Sequence, residues 1–167
     1  MDNALAPDLL TDLPLSIIEG ILTLLPIRDA IRTSVLSTKW RYRWASLPQL
    51  VFDDKCVESS PDKALIENRL IKFITHALLL HKGPIHKFKV RSSVLQGCPD
   101  IDQWILFLSR NDIRELCLEL GEGEWFRVTS CLFSCKKLTR LELSRCELDP
   151  PLGFRGFLCL KTLNLQQ

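Results

Sequence analysis

Residues 12–54 read DLPLSIIEGILTLLPIRDAIRTSVLSTKWRYRWASLPQLVFDD, and this stretch decides how the amino-terminal part of the chain folds. Apolar side chains dominate it and recur at helical spacing at Ile17, Ile18, Ile21 and Leu22. About forty residues seldom sustain a hydrophobic core without staples or a partner. The sequence therefore predicts a short helical unit that completes its core against another protein.

Prolines and polar residues divide this stretch into short helices. Pro26 ends the first helix because proline disfavours helical geometry in the residue before it. Trp40 and Trp44 are four residues apart, so a helix places both indoles on one face. The pattern predicts three helices, at about residues 14–25, 28–36 and 37–47.

Composition bounds the class of protein. The 167 residues are 46% apolar and 25% charged, which is typical of a globular chain of one domain or two small ones. A net charge of +2, from 22 basic and 20 acidic residues, gives no reason to expect nucleic acid or a membrane surface as partner. No apolar run is long enough to span a membrane, and residues 1–10 lack the basic start of a secretory signal.

The cysteines and histidines do not indicate a metal site or an active site. Seven cysteines, an odd number without a secretory signal, favour a reducing compartment, the cytoplasm or the nucleus. Cys131 and Cys135 lie four residues apart, but no histidine follows His86 to complete a ligand set. The pair Cys98 and His86 has no orienting group, and the sequence has no glycine-rich phosphate loop. We therefore predict a non-catalytic protein without a cofactor.

A polar stretch over residues 53–62 marks a boundary, and a longer helix follows it. Ser60 and Pro61 form a helix-start signal, and Gly83-Pro84 ends the helix near Lys82. A further helix, opened by Asp100, is predicted between the strands described next.

From residue 85 the apolar period changes. One spacing recurs four times: an apolar residue, two others, a second apolar residue, one other and a third apolar residue. It begins at Ile85, Ile113, Leu138 and Leu160. Successive starts lie 28, 25 and 22 residues apart, which is the spacing of leucine-rich repeats. Each unit has one short strand and buries its apolar side by stacking on its neighbours. The predicted fold class is α+β, an α/β solenoid with a parallel sheet, and we expect a truncated array because the chain ends on the fourth strand.

Four spaced segments give the amino-terminal stretch a resemblance to the F-box of plant F-box proteins. They are Asp-Leu-Pro at 12–14, Ile-Leu-x-x-Leu-Pro-Ile-Arg-Asp-Ala at 21–30, Ser-Val-Leu-Ser-x-x-Trp-Arg-x-x-Trp at 34–44 and Leu-Pro-x-Leu-x-Phe-Asp-Asp at 47–54. The whole string is similar to the subgroup that joins an F-box to leucine-rich repeats and often to an FBD domain, and we expect a form that lacks the FBD part. The resemblance implies this division: tail 1–10, F-box 11–54, linker 55–62, connecting helix 63–84 and repeats 85–167.

The resemblance also implies a function. An F-box binds a Skp-type adaptor, which is bridged to a cullin and a RING protein, while the repeats hold a protein substrate for ubiquitination. The chain is then the substrate-recognition subunit of an SCF-type (Skp–cullin–F-box) ubiquitin ligase and contributes proximity rather than bond chemistry. The alternative is a non-ligase interaction module, or a truncated decoy that binds the adaptor without recruiting a substrate.

Two sets of residues are the candidate contacts. We expect Leu13, Pro14 and Trp40 to be the main adaptor anchors. Some members of the full candidate set must instead pack the helices together. That set is Leu13, Pro14, Ile18, Ile21, Leu22, Leu25, Pro26, Val35, Leu36 and Trp40. The other interpretation of Trp40 and Trp44 is as ordinary core aromatics. For the substrate, exposed strand positions are the candidates: Arg140, Glu142, Ser144, Lys161 and Asn164.

Overall fold

The computed structural model describes residues 10, 12–123 and 125–166. Its α-helices are α1 (Leu15–Leu24), α2 (Ile27–Arg32), α3 (Lys63–Leu80) and α4 (Pro99–Ser109). Its strands are β1 (Gln49–Asp53), β2 (Lys87–Arg91), β3 (Glu115–Glu119), β4 (Phe126–Arg127), β5 (Arg140–Ser144), β6 (Cys146–Glu147) and β7 (Thr162–Gln166). Within the described residues, no helix is long and apolar enough to cross a membrane.

The main sheet is parallel and has the strand order β1-β2-β3-β5-β7. Apolar residues at equivalent positions align across it in one row: Leu50, Phe88, Leu116, Leu141 and Leu163. The first four of these side chains are buried, because alternate residues of a strand point to the same face and that face is covered. The parallel sheet and the four strands predicted from the repeated pattern are confirmed as β2, β3, β5 and β7.

Strand β1 was missed by the sequence analysis. It lies inside the stretch assigned to the amino-terminal unit, yet it pairs with β2 over residues 49–53. Trp44, Leu50 and Phe52 belong to the same continuous core as Leu78 of α3. Part of the core that the sequence assigned to a second protein is therefore supplied by this chain itself.

The predicted third helix is wrong. The residues after Ser37 form tight turns and a 3-10 segment over Arg43–Ser46, with hydrogen bonds from Arg43 N to Trp40 O and from Ala45 N to Tyr42 O. Tyr42 has a φ of 60°, a left-handed conformation that interrupts an α-helix. The second helix is also shorter than predicted, since α2 ends at Arg32 and a 3-10 turn follows it.

Helices α3 and α4 cover the buried face of the sheet. Asp62 caps α3 by accepting hydrogen bonds from Ala64 N and Leu65 N, so the helix starts later than the Ser60-Pro61 signal indicated. The N-cap of α4 is Cys98, with Pro99 in the first turn, rather than Asp100. The opposite face of the sheet, formed by the alternate residues, carries mostly polar side chains.

Asp54 links the ends of β1 and β2. Its carboxylate accepts hydrogen bonds from Ser92 Oγ at 2.5 Å, Ser93 N at 3.0 Å and Ser93 Oγ at 2.7 Å. Burial raises the pKa of Asp54, but these hydrogen bonds outweigh it and hold the pKa below its usual value. The link fixes the end of the amino-terminal stretch to the turn after β2.

Candidate functional site

The predicted adaptor contacts divide into core and surface residues. Ile18 and Leu22 of α1 are fully buried and pack with Trp44, Ala45 and the rest of the core. They face inward because positions four residues apart lie on the same side of a helix. These two residues are therefore core residues and leave the candidate contact set.

Trp40 also lies in the core. Its side chain is 2% exposed, and its Nε1 donates a hydrogen bond to Leu10 O at 2.9 Å. An indole enclosed in this way offers no surface to a partner. This burial argues against the predicted role of Trp40 as a main adaptor anchor and favours the core interpretation of both Trp40 and Trp44.

The remaining predicted contacts reach the surface to different degrees. Leu13, Ile21 and Leu25 are half-buried and pack against the core from outside. The others are exposed: Pro14, Pro26, Val35 and Leu36. Val35 is the extreme case, since 88% of it is exposed in a 3-10 turn next to α2.

Three exposed apolar residues of α1 were missed by the sequence analysis: Leu15, Ile17 and Leu24. Leu24 is 85% exposed. The signal was present, because the helix sequence LSIIEGILTL is apolar on nearly every side and a helix of this kind requires burial on more than one face. We refer to these three residues of α1 together with Val35 and Leu36 as the apolar helix surface. Exposed apolar area of this kind is characteristic of protein interaction sites.

The second candidate surface is the polar face of the sheet. Arg140, Glu142 and Ser144 project from β5, next to Asn164 of β7, while Lys161 immediately precedes β7. The structure therefore brings the predicted substrate contacts of β5 and β7 together. It also places residues of β2 and β3 on this face that the sequence alone did not predict, because local sequence does not encode strand register: Lys87, Lys89, Arg91, Glu115, Cys117 and Glu119.

Charges on this face are paired with one another. Lys89 Nζ lies 2.7 Å from Glu119 Oε1, and Arg91 forms a hydrogen-bonded ion pair with the same carboxylate. Arg140 Nη2 lies 2.6 Å from Glu142 Oε1. Hydrogen bonds from Arg91 and from Lys89 lower the pKa of Glu119 to about 2. Burial acts in the opposite direction but is outweighed.

Cys117 lies at the centre of this network. Burial and hydrogen bonding to Glu142 and Glu119 raise the pKa of its thiol to about 12, so it stays protonated and acts as a donor. Its sulfur and the two carboxylates lie within 4.8 Å of one another, which is close enough to hold a metal ion. A metal ligand must be deprotonated, but the Cys117 thiol keeps its proton, and Glu119 and Glu142 are already paired with cations. This arrangement fits an ion-pair network better than a metal centre.

The pairing of Glu119 predicts a pH-dependent contribution to stability. Because its folded pKa is lowered from 4.5 to about 2, the contribution is complete above the unfolded value and is lost as pH falls from about 4.5 towards 2. Glu119→Gln should reduce the free energy of unfolding at neutral pH and flatten its decrease over that acid range, measured by urea denaturation. Glu122→Gln, at an exposed position, is the control. An unchanged acid profile in Glu119→Gln would contradict the assignment.

Comparison with known proteins identifies the amino-terminal unit. Residues 10–52 match the F-box domain family. An F-box/FBD/LRR-repeat protein of Arabidopsis thaliana is 64% identical over 162 residues, which cover 97% of this chain and 39% of that protein. A second F-box/FBD/LRR-repeat protein of this plant is 32% identical, covering 95% of this chain and 37% of that protein.

A third relative, an Arabidopsis thaliana F-box/LRR-repeat protein, is 32% identical over 144 residues, which cover 86% of this chain and 38% of that protein. The chain thus spans less than two fifths of the length of these relatives. No solved structure matches it significantly. The F-box match and these identities over most of the chain show that it belongs to the plant F-box/LRR-type family.

Proposed function

We propose that this chain is a substrate-recognition subunit of an SCF-type ubiquitin ligase. In this proposal the F-box binds a Skp-type adaptor, and through it a cullin and a RING protein, while the polar face of the sheet binds a protein substrate. The chain contributes position and effective concentration rather than catalysis. The seven cysteines, all free, support a reducing compartment, so we place the proposed assembly in the cytoplasm or nucleus.

The observation that carries the adaptor proposal is the apolar helix surface. The core of the amino-terminal unit is complete with Ile18, Leu22, Trp40 and Trp44, yet further large apolar side chains remain exposed around it. Burial of apolar area contributes about 25 cal/mol per Å², so covering this surface is favourable. The refined adaptor set combines the exposed and half-buried predicted residues with the missed ones: Leu13, Pro14, Leu15, Ile17, Ile21, Leu24, Leu25, Pro26, Val35 and Leu36.

The parallel sheet supports the substrate part of the proposal. We infer that β2, β3, β5 and β7 are the first units of a leucine-rich-repeat solenoid, since the repeated aliphatic pattern generates each strand and the strands stack in register. The proposed substrate contacts then lie on consecutive units of one surface.

Val35→Asp tests the adaptor proposal. A carboxylate at this exposed position introduces a charge into the proposed interface, so we expect binding to a recombinant Skp-type adaptor to weaken by on the order of 2 kcal/mol or more, measured by calorimetry. The matched control is Leu79→Asp, a residue of α3 that is 74% exposed and outside the F-box. Equal affinities of both variants and the unmodified chain would refute the proposed surface.

A non-ligase interaction module is the second candidate, and the ion pairs on the sheet face favour it. Charges already paired between β2 and β3 and within β5 are less available to a substrate. Overexpression distinguishes the two functions. A substrate receptor lowers the abundance of a target protein, whereas a module that occupies the adaptor without a substrate raises the abundance of targets of other receptors.

A further inference from the structure

A groove lies between the turn that connects α1 to α2 and the outer edge of β1. Its volume is about 250 Å³. Mostly apolar side chains line it, including Leu25, Pro26, Leu47 and Val51. Val51 is 46% exposed although it lies in the middle of a strand.

The backbone of β1 is open towards this groove. Pro48 O accepts a hydrogen bond from Lys87 N at 3.1 Å, which sets the phase of the parallel ladder between β1 and β2. Since every second residue of a parallel strand bonds to a given neighbour, Leu50 and Phe52 continue that ladder. The N–H and C=O groups of Gln49 and Val51 point to the other side, where no strand pairs with β1 in the described part of the chain.

The open edge and the groove coincide. Gln49, Val51 and Asp53 are the β1 residues that line the groove, and they are the residues whose backbone faces away from β2. An exposed strand edge beside an apolar wall recognises an extended peptide, because the main chain supplies hydrogen bonds and the pocket selects alternate side chains.

We propose that this groove binds an extended segment of a partner protein, which adds to β1 as a further strand. An apolar side chain of the segment lies between Leu25, Pro26 and Val51. Among the described residues that line the groove, Asp53 is the charged one, so a lysine or arginine beside the apolar position complements it. Leu25 and Pro26 also belong to the proposed adaptor set, whereas the β1 residues that line the groove do not.

Charge argues for such a partner rather than for a second copy of this chain. Strand β1 has the sequence QLVFD and contains no basic residue. A second β1 in the groove would offer nothing to pair with Asp53. The expected ligand is therefore extended, alternates apolar and polar residues and carries at least one basic residue.

A random heptapeptide display library, selected against the whole chain, tests the proposal. We expect enrichment of proline-poor peptides with alternating apolar residues and a lysine or arginine. Synthetic copies should bind by fluorescence anisotropy. Copies N-methylated at alternate backbone positions lose at least two main-chain hydrogen bonds and should bind at least about tenfold more weakly. Failure to enrich such peptides, or equal binding of the N-methylated copies, would overturn the proposal.

Val51→Pro is the matching change in the protein. It removes the outward N–H, and proline is tolerated on an edge strand whose N–H does not enter the ladder. We expect about fivefold weaker peptide binding from the loss of one hydrogen bond, whereas Val51→Ile should retain affinity. If Val51→Pro does not fold, the N-methylated peptides make the same test on the unmodified chain. Dimerisation in light scattering that Val51→Pro abolishes would instead assign the groove to a second copy. The affinity for the Skp-type adaptor, measured separately by calorimetry, tests the ligase proposal, so failure of one proposal is distinguishable from failure of the other.

Discussion

Replacing Trp40 by alanine is expected to destabilise the folded chain by about 3–5 kcal/mol, the range for truncating a buried aromatic residue. The indole is buried in the core and donates its N–H to Leu10 O, so the variant loses packing and one hydrogen bond. Urea denaturation followed by circular dichroism measures the loss. Adaptor binding should weaken only in proportion to the unfolded fraction.

Trp125→Ala is the matched control, because Trp125 is 55% exposed. A surface truncation of this kind changes stability by about 0.5 kcal/mol or less. The assignment of Trp40 to the core fails if Trp40→Ala keeps its full stability and loses only adaptor binding. That outcome would restore Trp40 as an interface anchor.

The second large effect is expected at Gly121. A Cβ atom at this position would lie 2.2 Å from Ser93 O and 2.6 Å from Ser93 C, both backbone atoms of the turn after β2. Neither turn can move freely, since Gly121 N donates to Leu95 O and Ser93 N donates to Asp54. Gly121→Ala should therefore lower the free energy of unfolding by about 3 kcal/mol or more, beyond the usual cost of overpacking.

Gly20→Ala is the control for this substitution. Gly20 lies inside α1, and a Cβ atom there has no neighbour within 4 Å. Alanine favours a helix by up to about 1 kcal/mol over glycine, so the free energy of unfolding should rise or stay unchanged. A thermal melt of both variants makes the comparison. Equal stabilities would show that the approach of Gly121 to Ser93 is not tight.

The repeated aliphatic spacing made the sheet predictable. Each copy places three apolar residues in a fixed pattern, and the strands formed at Phe88, Leu116, Leu141 and Leu163 as expected. Strand β1 lacks this signal because its five residues follow a proline and merge with the F-box sequence. Its strand conformation depends on pairing with β2, a contact 38 residues away that local sequence does not encode.

The split between core and surface could not be predicted for the F-box. Helix α1 is apolar on nearly every side, so periodicity alone did not show that Ile18 and Leu22 face inward while Ile17 and Leu24 face solvent. Trp40 and Trp44 have helical spacing, but the left-handed Tyr42 between them placed both in tight turns. The charged pairs on the sheet face depend on strand register, which only the folded structure supplies.

The strand contributed by the F-box has a practical consequence for protein engineering. Consider a chimera that joins the F-box of one protein to the sheet of another after Asp54. Strand β1 then comes from the F-box donor, so a foreign strand must pair with β2. The F-box donor must also provide the carboxylate that accepts hydrogen bonds from Ser92 and Ser93. With a junction at Pro48 instead, β1 and this carboxylate come from the same protein as the rest of the sheet. Module swaps in this family should succeed more often at the second junction than at the first.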